Sequence, residues 1–161
     1  MSDLQNKAKP IISRLIRNQF GTTITKNEAE LVSLWAVMTF MVFDTDKHSS
    51  QVFSKEQRKA FSEHHTVPEG LSVYISLSRN PPTRGVSHLP LAIVDSGSQN
   101  RTVWGGFFVY VLGHFTIVIS YLSLLEKISS RALQVISPAL LDISNYKSWN
   151  GEKSIKSYVG D

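Results

Sequence analysis

Residues 107–125 read FFVYVLGHFTIVISYLSLL, a run with no acidic or basic side chain apart from His114. A lone membrane helix needs about 20 largely apolar residues. The run is therefore just long enough to span, and whether it does separates two kinds of protein. Its interior points to a hairpin. Gly113 and His114 lie at its centre, with Val109 and Val111 on one side and the β-branched stretch Thr116 to Ile119 on the other. Glycine at the first central position of a two-residue turn takes the positive φ of type II′ geometry without a steric penalty. Phe115, Ile117, Ile119 and Tyr121 then share one face, and Thr116, Val118 and Ser120 share the other. The expectation is a β-hairpin and no membrane span.

Bulk properties agree with a protein free of the membrane. A chain of 161 residues is one domain by size and can bury a single core without disulfides or metals. It has no cysteine, which removes disulfide frameworks, thiolate zinc sites and cysteine nucleophiles, and fits a reducing cytoplasm. Lys7, Lys9, Arg14 and Arg17 are interleaved with the apolar residues of the first twenty positions, which is not the pattern of a signal peptide. A cytoplasmic location is expected. The net charge of +4 and a pI near 9.4 permit attraction to polyanions without requiring it.

Along the chain the pattern changes from helical to extended. SDLQ, residues 2–5, reads as a capping box, and Leu4, Ala8, Ile11, Ile12 and Leu15 follow at helical spacing. Pro10 lies inside this helix and predicts a kink; Gly21 is placed to stop it. A second box, TKNE from Thr25 to Glu28, opens a segment that is apolar nearly all round. Such a helix has to be enclosed by other elements, so residues 29–43 are the expected central helix, with Trp35, Met38, Phe40 and Met41 in the core. The DTDK that follows is read as its solvated end. A third box, SKEQ from Ser54 to Gln57, begins a short helix toward His64, closed by Pro68 and Gly70.

From residue 71 the period becomes two. Leu71, Val73, Ile75 and Leu77 alternate with Ser72, Tyr74, Ser76 and Ser78, which predicts a strand with one buried face. VSHLPLAIV is a second strand, broken or edged by Pro90. Thr102–Leu112 and its hairpin partner complete about four antiparallel strands, and LLEKISSRALQVI returns as a helix. Residues 145–161 are polar and serine-rich and read as a loosely held tail. The expected fold is α+β: N-terminal helices, one of them buried and apolar, packed on a mainly antiparallel sheet. It forms one domain over 1–144 with the tail at 145–161.

Three stretches, MSDLQNKAKPIISRLI, ELVSLWAVMTFMVF and VPEGLSVYISLS, resemble in order and separation the C-terminal half of bacterial and phage HNH endonuclease-like proteins. The resemblance covers about the first half of the chain and rests on core-forming helices and one strand. In that family a Cys-Asn pair and a Trp precede the segment similar to Met1–Ile12, and the His-Asn-His metal site lies further upstream. No residue here matches those positions, and Gln5 stands where the family usually has Glu. The resemblance implies a domain that accompanied a nuclease and now stands alone.

The reactive residue types form no familiar constellation. A metal-dependent nuclease needs a histidine base and further ligands around one cation. His48, His88 and His114 are isolated in sequence. Only Glu63, His64 and His65 cluster, and neighbours on a helix point about 100° apart, so the cluster reads as a solvated helix end. No Gly-x-Ser-x-Gly strand-to-helix turn or phosphate-gripping glycine loop occurs. Gly105 and Gly106 read as a bulge or a close backbone approach. Asp44 and Asp46 read as solvated loop charges. No cofactor, metal or catalytic residue is expected.

Binding is the remaining class. Lys7, Arg14 and Arg17 fall in one polar sector of the first helix, Arg79 and Arg84 bracket a proline-stiffened loop, and Lys147, Lys153 and Lys156 load the tail. Tyr74 and Trp149 are the aromatic side chains expected to be open for base stacking. These residues suggest a non-catalytic module that binds nucleic acid or a nucleoprotein complex. The alternative is a small phage-encoded inhibitor that occludes a host defence protein, such as a defence nuclease complex, and self-association into a homo-oligomer is a further expectation.

Overall fold

The computed structural model describes residues 2–17, 22–45, 52–78, 85–94, 102–122, 141–143, 151, 153–155 and 157–158. Helix α1 spans Ser2–Arg17 and buries Leu4, Ala8, Ile12 and Leu15, positions one turn apart that make the expected stripe. It continues as one helix through Pro10, whose side is exposed, so the missing N–H faces solvent and not the core. Helix α2, Lys26–Thr45, starts at the Thr25 box: Glu28 N–H donates to Thr25 Oγ1 at 3.3 Å and Thr25 N–H donates to Glu28 Oε2 at 2.9 Å. The same reciprocal pair forms between Ser54 and Gln57 at the start of α3, Lys55–His64. His65 then ends α3 in the left-handed region, φ 48°, and its N–H returns to the Phe61 carbonyl at 2.9 Å.

Four long antiparallel strands form the sheet: β2 (Leu71–Ser78), β3 (Gly85–Val94), β4 (Thr102–Leu112) and β5 (Phe115–Leu122), in the order β3-β4-β5-β2. Leu112 pairs with Phe115, so Gly113 and His114 make a two-residue turn. Gly113 has φ +65° and His114 is not in the positive region, which distinguishes type II′ from type I′. The 107–125 run is thus a hairpin over its described part, and no helix among the described residues is long and apolar enough to cross a membrane.

Register places the core. Phe108, Ile119 and Val73 lie in one row across the sheet, and Tyr110, Ile117 and Ile75 in the next. Helix α2 covers this face: the Phe40 ring stacks on Phe108 at 4.3 Å and meets Phe53 edge-on at 4.9 Å. Helix α1 packs on α2, and its last turn brings Ile16 to the hairpin turn, 3.7 Å from where a Cβ on Gly113 would lie.

Several expectations are corrected. No bulge occurs at Gly105 and Gly106: both strands pair through them without an inserted residue, Gly106 lying between Pro90 and Tyr121. Pro90 edges its strand and does not break it, since β3 is a terminal strand of the sheet and pairs continuously with β4. Residues 73–77 of β2 are buried on both faces, and short strands pair with β2 on the side away from β5. β6 (Leu141–Asp142) and β8 (Ser157–Tyr158) both pair with it. The described strands of the 145–161 segment are tied into the fold. β7 (Lys153–Ser154) pairs with β1 (Thr23–Ile24), and Ile155 is buried, its N–H bonded to Thr22 O at 2.9 Å. Ile143 also bridges layers, donating to Val73 O and accepting from the buried Ser33 hydroxyl. The helix-stopping Gly21, residues 79–84 of the RNPPTRG loop, Asp46, His48 and the helix read over LLEKISSRALQVI lie outside the described residues.

Candidate functional site

The basic face expected on α1 is largely spent on internal contacts. Lys7 pairs with Asp3 at 2.7 Å across one turn. The Lys7 hydrogen bond, followed by its charge, holds the Asp3 carboxyl below the usual range. Arg14 is half-buried and donates to Glu28 Oε1 at 2.7 Å and to Thr23 O at 3.2 Å. Glu28 is also the capping-box acceptor of α2, so Arg14 ties the end of α1 to the start of the central helix. Arg17 is exposed. Arg79 and Arg84, with Lys147 and Lys156 of the tail, lie outside the described residues, while Lys153 is exposed on β7. The described residues carry nearly as many acidic as basic side chains. Tyr74, expected to be open for stacking, is buried at 2% exposure and cannot present its ring; Trp149 lies outside the described residues.

Asp44 is the sharpest correction. It lies inside α2 and is 3% exposed, in place of the expected solvated loop charge. Its carboxylate accepts from Val52 N–H at 2.9 Å, Phe53 N–H at 3.0 Å and the Arg58 guanidinium at 2.6 Å. Arg58 also donates to Met41 O, one of the last carbonyls of α2, and to Thr45 Oγ1 at 2.9 Å, and sits 5.7 Å from the Phe53 ring. The sequence does carry a signal for this. Val37, Phe40 and Asp44 continue one helical stripe, and a charge at the end of an apolar stripe implies a buried partner.

Next to this pair the sheet brings His88 to Tyr121. His88 Nε2 and Tyr121 Oη are 2.7 Å apart, with Phe40 and Phe108 against both rings. Burial, and then the Asp44 charge, raises the Tyr121 hydroxyl above its ordinary value. His64 and His65 stand exposed at the end of α3, with Glu63 beside Lys59. Among the described residues no three His, Asp or Glu side chains gather in a way that could hold a metal ion.

The surface stands out where exposed apolar side chains meet Tyr110. Val42, Phe43 and Val86 are exposed at 56%, 42% and 42%, the large apolar side chains that remain open among the described residues. Phe43 meets Tyr110 edge-on at 6.3 Å and Phe108 at 5.6 Å, and Val86 is the cross-strand partner of Tyr110. Tyr110 itself is buried, and its hydroxyl has no hydrogen-bond partner among the described residues. Burial alone pushes that hydroxyl far above the ordinary tyrosine value, so it stays protonated. Sequence reasoning misses this patch because Val42 and Phe43 continue an apolar run most of whose members are buried. Comparison with family models, with curated proteins and with solved structures finds no match to this chain.

Proposed function

We propose that the chain acts by binding another protein, through the surface formed by Val42, Phe43 and Val86, and that it does so without catalysing a reaction. The observation carrying this reading is the meeting of two open apolar side chains, Phe43 and Val86, at one buried tyrosine with an unserved hydroxyl, with the exposed Val42 next to Phe43 in the chain. Scattered exposed valines are ordinary; several large ones at one place, rimmed by polar residues, mark interaction sites. Occlusion of a host defence protein by a phage-encoded inhibitor is one form such binding takes. The test uses the full chain as bait in nuclease-digested host lysate, with Val42→Asp in parallel. A protein retained by the wild type and lost by the variant supports the reading. Equal retention by both, or a signal that vanishes with the nucleic acid, overturns it.

A second reading is a nucleic-acid or nucleoprotein-binding module, supported by the net charge of +4, the exposed Arg17 and the resemblance to HNH endonuclease-like proteins. It is weakened by the commitment of Arg14 to Glu28 and of Lys7 to Asp3.

A further inference from the structure

The apolar patch lies against an open strand. β3 is the end of the sheet, its neighbour among the described strands is β4, and Gly85, Val86 and Ser87 are exposed in succession. Exposed residues on both faces of one short stretch mean that the backbone there is accessible from the side. Strand edges that are to stay solitary carry charges, prolines or bulges. β3 carries no Lys, Arg, Asp or Glu anywhere from Gly85 to Val94, and neither do β4 and β5. Its proline is at 90, past the exposed stretch.

Pro90 also indicates which way the backbone of Val86 points. A proline has no N–H to give, so in an unbroken ladder it occupies a position whose nitrogen faces away from the neighbouring strand. Pro90 pairs with Gly106 in such a ladder. Val86 is four residues earlier, and ladder positions alternate with a period of two, so its N–H and C=O face the open edge as well. The Val86 side chain lies on the same sheet face as Tyr110, its cross-strand partner, where Phe43 of α2 reaches down.

We infer that the occupant of this surface is a second copy of the chain, joined two-fold at Val86 by antiparallel pairing of β3 with its counterpart. The axis passes between Val86 and the same residue of the other copy. Each donates its N–H to the other's carbonyl, Gly85 faces Ser87, and the two valines and two Phe43 rings form one apolar strip. A two-fold contact presents each patch to itself, so it needs a centre free of like charges, and Gly85, Val86 and Ser87 carry none. Area sets the strength. The exposed parts of Val86 and Phe43 fall far short of the area of a stable interface, about 800 Å² per partner. The backbone pairing adds to this without closing the gap, so the dimer is weak and dependent on concentration. The inference rests on the protein-docking reading of the same surface.

Sedimentation velocity of the full chain from about 1 µM to 1 mM tests it. The expected result is an average mass rising from 18.0 kDa toward twice that value, with hydrogen exchange at the Val86 amide slowing as concentration rises. Val86→Lys sets two ammonium groups face to face, at a position exposed in the monomer and therefore tolerant of the change; it raises the dissociation constant at least tenfold. Phe43→Ser raises it too, and its circular dichroism reports whether the fold is retained. A single 18.0 kDa species at every concentration, or a Val86→Lys chain that associates as the wild type does, overturns the dimer. If the chain is monomeric yet Val42→Asp still loses a retained partner, the dimer is refuted while the docking reading stands.

Discussion

Tyr110 on the sheet and Asp44 on α2 are both buried, and they show opposite ways of keeping a polar group out of water. Asp44 has three donors around its carboxylate, whereas the Tyr110 hydroxyl has none among the described residues. Removing a partner from a satisfied buried charge leaves donors stranded. Asp44→Ala therefore costs about 3–5 kcal/mol, measured by urea unfolding, because Arg58 and two backbone N–H groups lose their acceptor together. Removing an unserved hydroxyl does the reverse. Tyr110→Phe should stabilise by about 1 kcal/mol, since the unpaired group bears a desolvation penalty with nothing to offset it. The two changes also differ with pH. Tyr110 has its folded pKa above its unfolded value, so the fold favours the protonated form. That contribution is whole below the unfolded pKa of about 10 and declines as pH rises past it, because unfolding then releases a proton. Alkaline titration of stability should fall less steeply above pH 10 in Tyr110→Phe than in the wild type, with Tyr121 keeping part of the slope. Equal slopes would show that the hydroxyl ionises as readily in the folded chain as in the unfolded one, and so is not shut away from water.

Elements whose signals are local are legible in the amino-acid order alone. Thr25 with Glu28, and Ser54 with Gln57, form the reciprocal bonds that their three-residue spacing implies. Gly113 supplies the positive φ that a II′ turn requires. Replacing these residues should cost what the local geometry costs. Thr25→Ala loses about 1 kcal/mol of stability. Gly113→Ala loses about 1–3 kcal/mol through backbone strain alone, because the added Cβ meets Ile16 at an ordinary 3.7 Å. Thermal unfolding reads both, and a neutral Gly113→Ala would mean that the turn relaxes to another type. Features set by distant partners are not legible in that way. Periodicity marks Val37 and Phe40 as core, but nothing in the chain near Asp44 announces Arg58 fourteen residues later. The tail reads as polar, yet Ile155 finds its acceptor at Thr22. On α1 the spacing puts Lys7, Arg14 and Arg17 in one polar sector. It cannot show that Glu28, on a different helix, claims Arg14 and removes it from the candidate site.

Charge across the whole molecule separates the two binding readings. Three adjacent strands, β3, β4 and β5, hold no Lys, Arg, Asp or Glu, and the open apolar patch lies at their edge. Binding there is driven by removal of apolar surface from water, which salt screens little. Binding by α1 depends instead on phosphate neutralisation. Arg14 is held by Glu28, whereas the Lys7–Asp3 pair is exposed and weak enough to yield to a phosphate, so Lys7 and Arg17 are the two cations counted, and each phosphate contact contributes about 0.9 to the slope of log affinity against log salt. A slope near −1.8 means that affinity drops about twelvefold between 50 and 200 mM salt. The expected outcome is that partner capture and self-association change less than about twofold over that range and are unaffected by Lys7→Glu with Arg17→Glu, as measured by fluorescence anisotropy on the labelled chain. A drop of tenfold or more, abolished by the charge reversals, would transfer the function from the edge of β3 to the exposed face of α1.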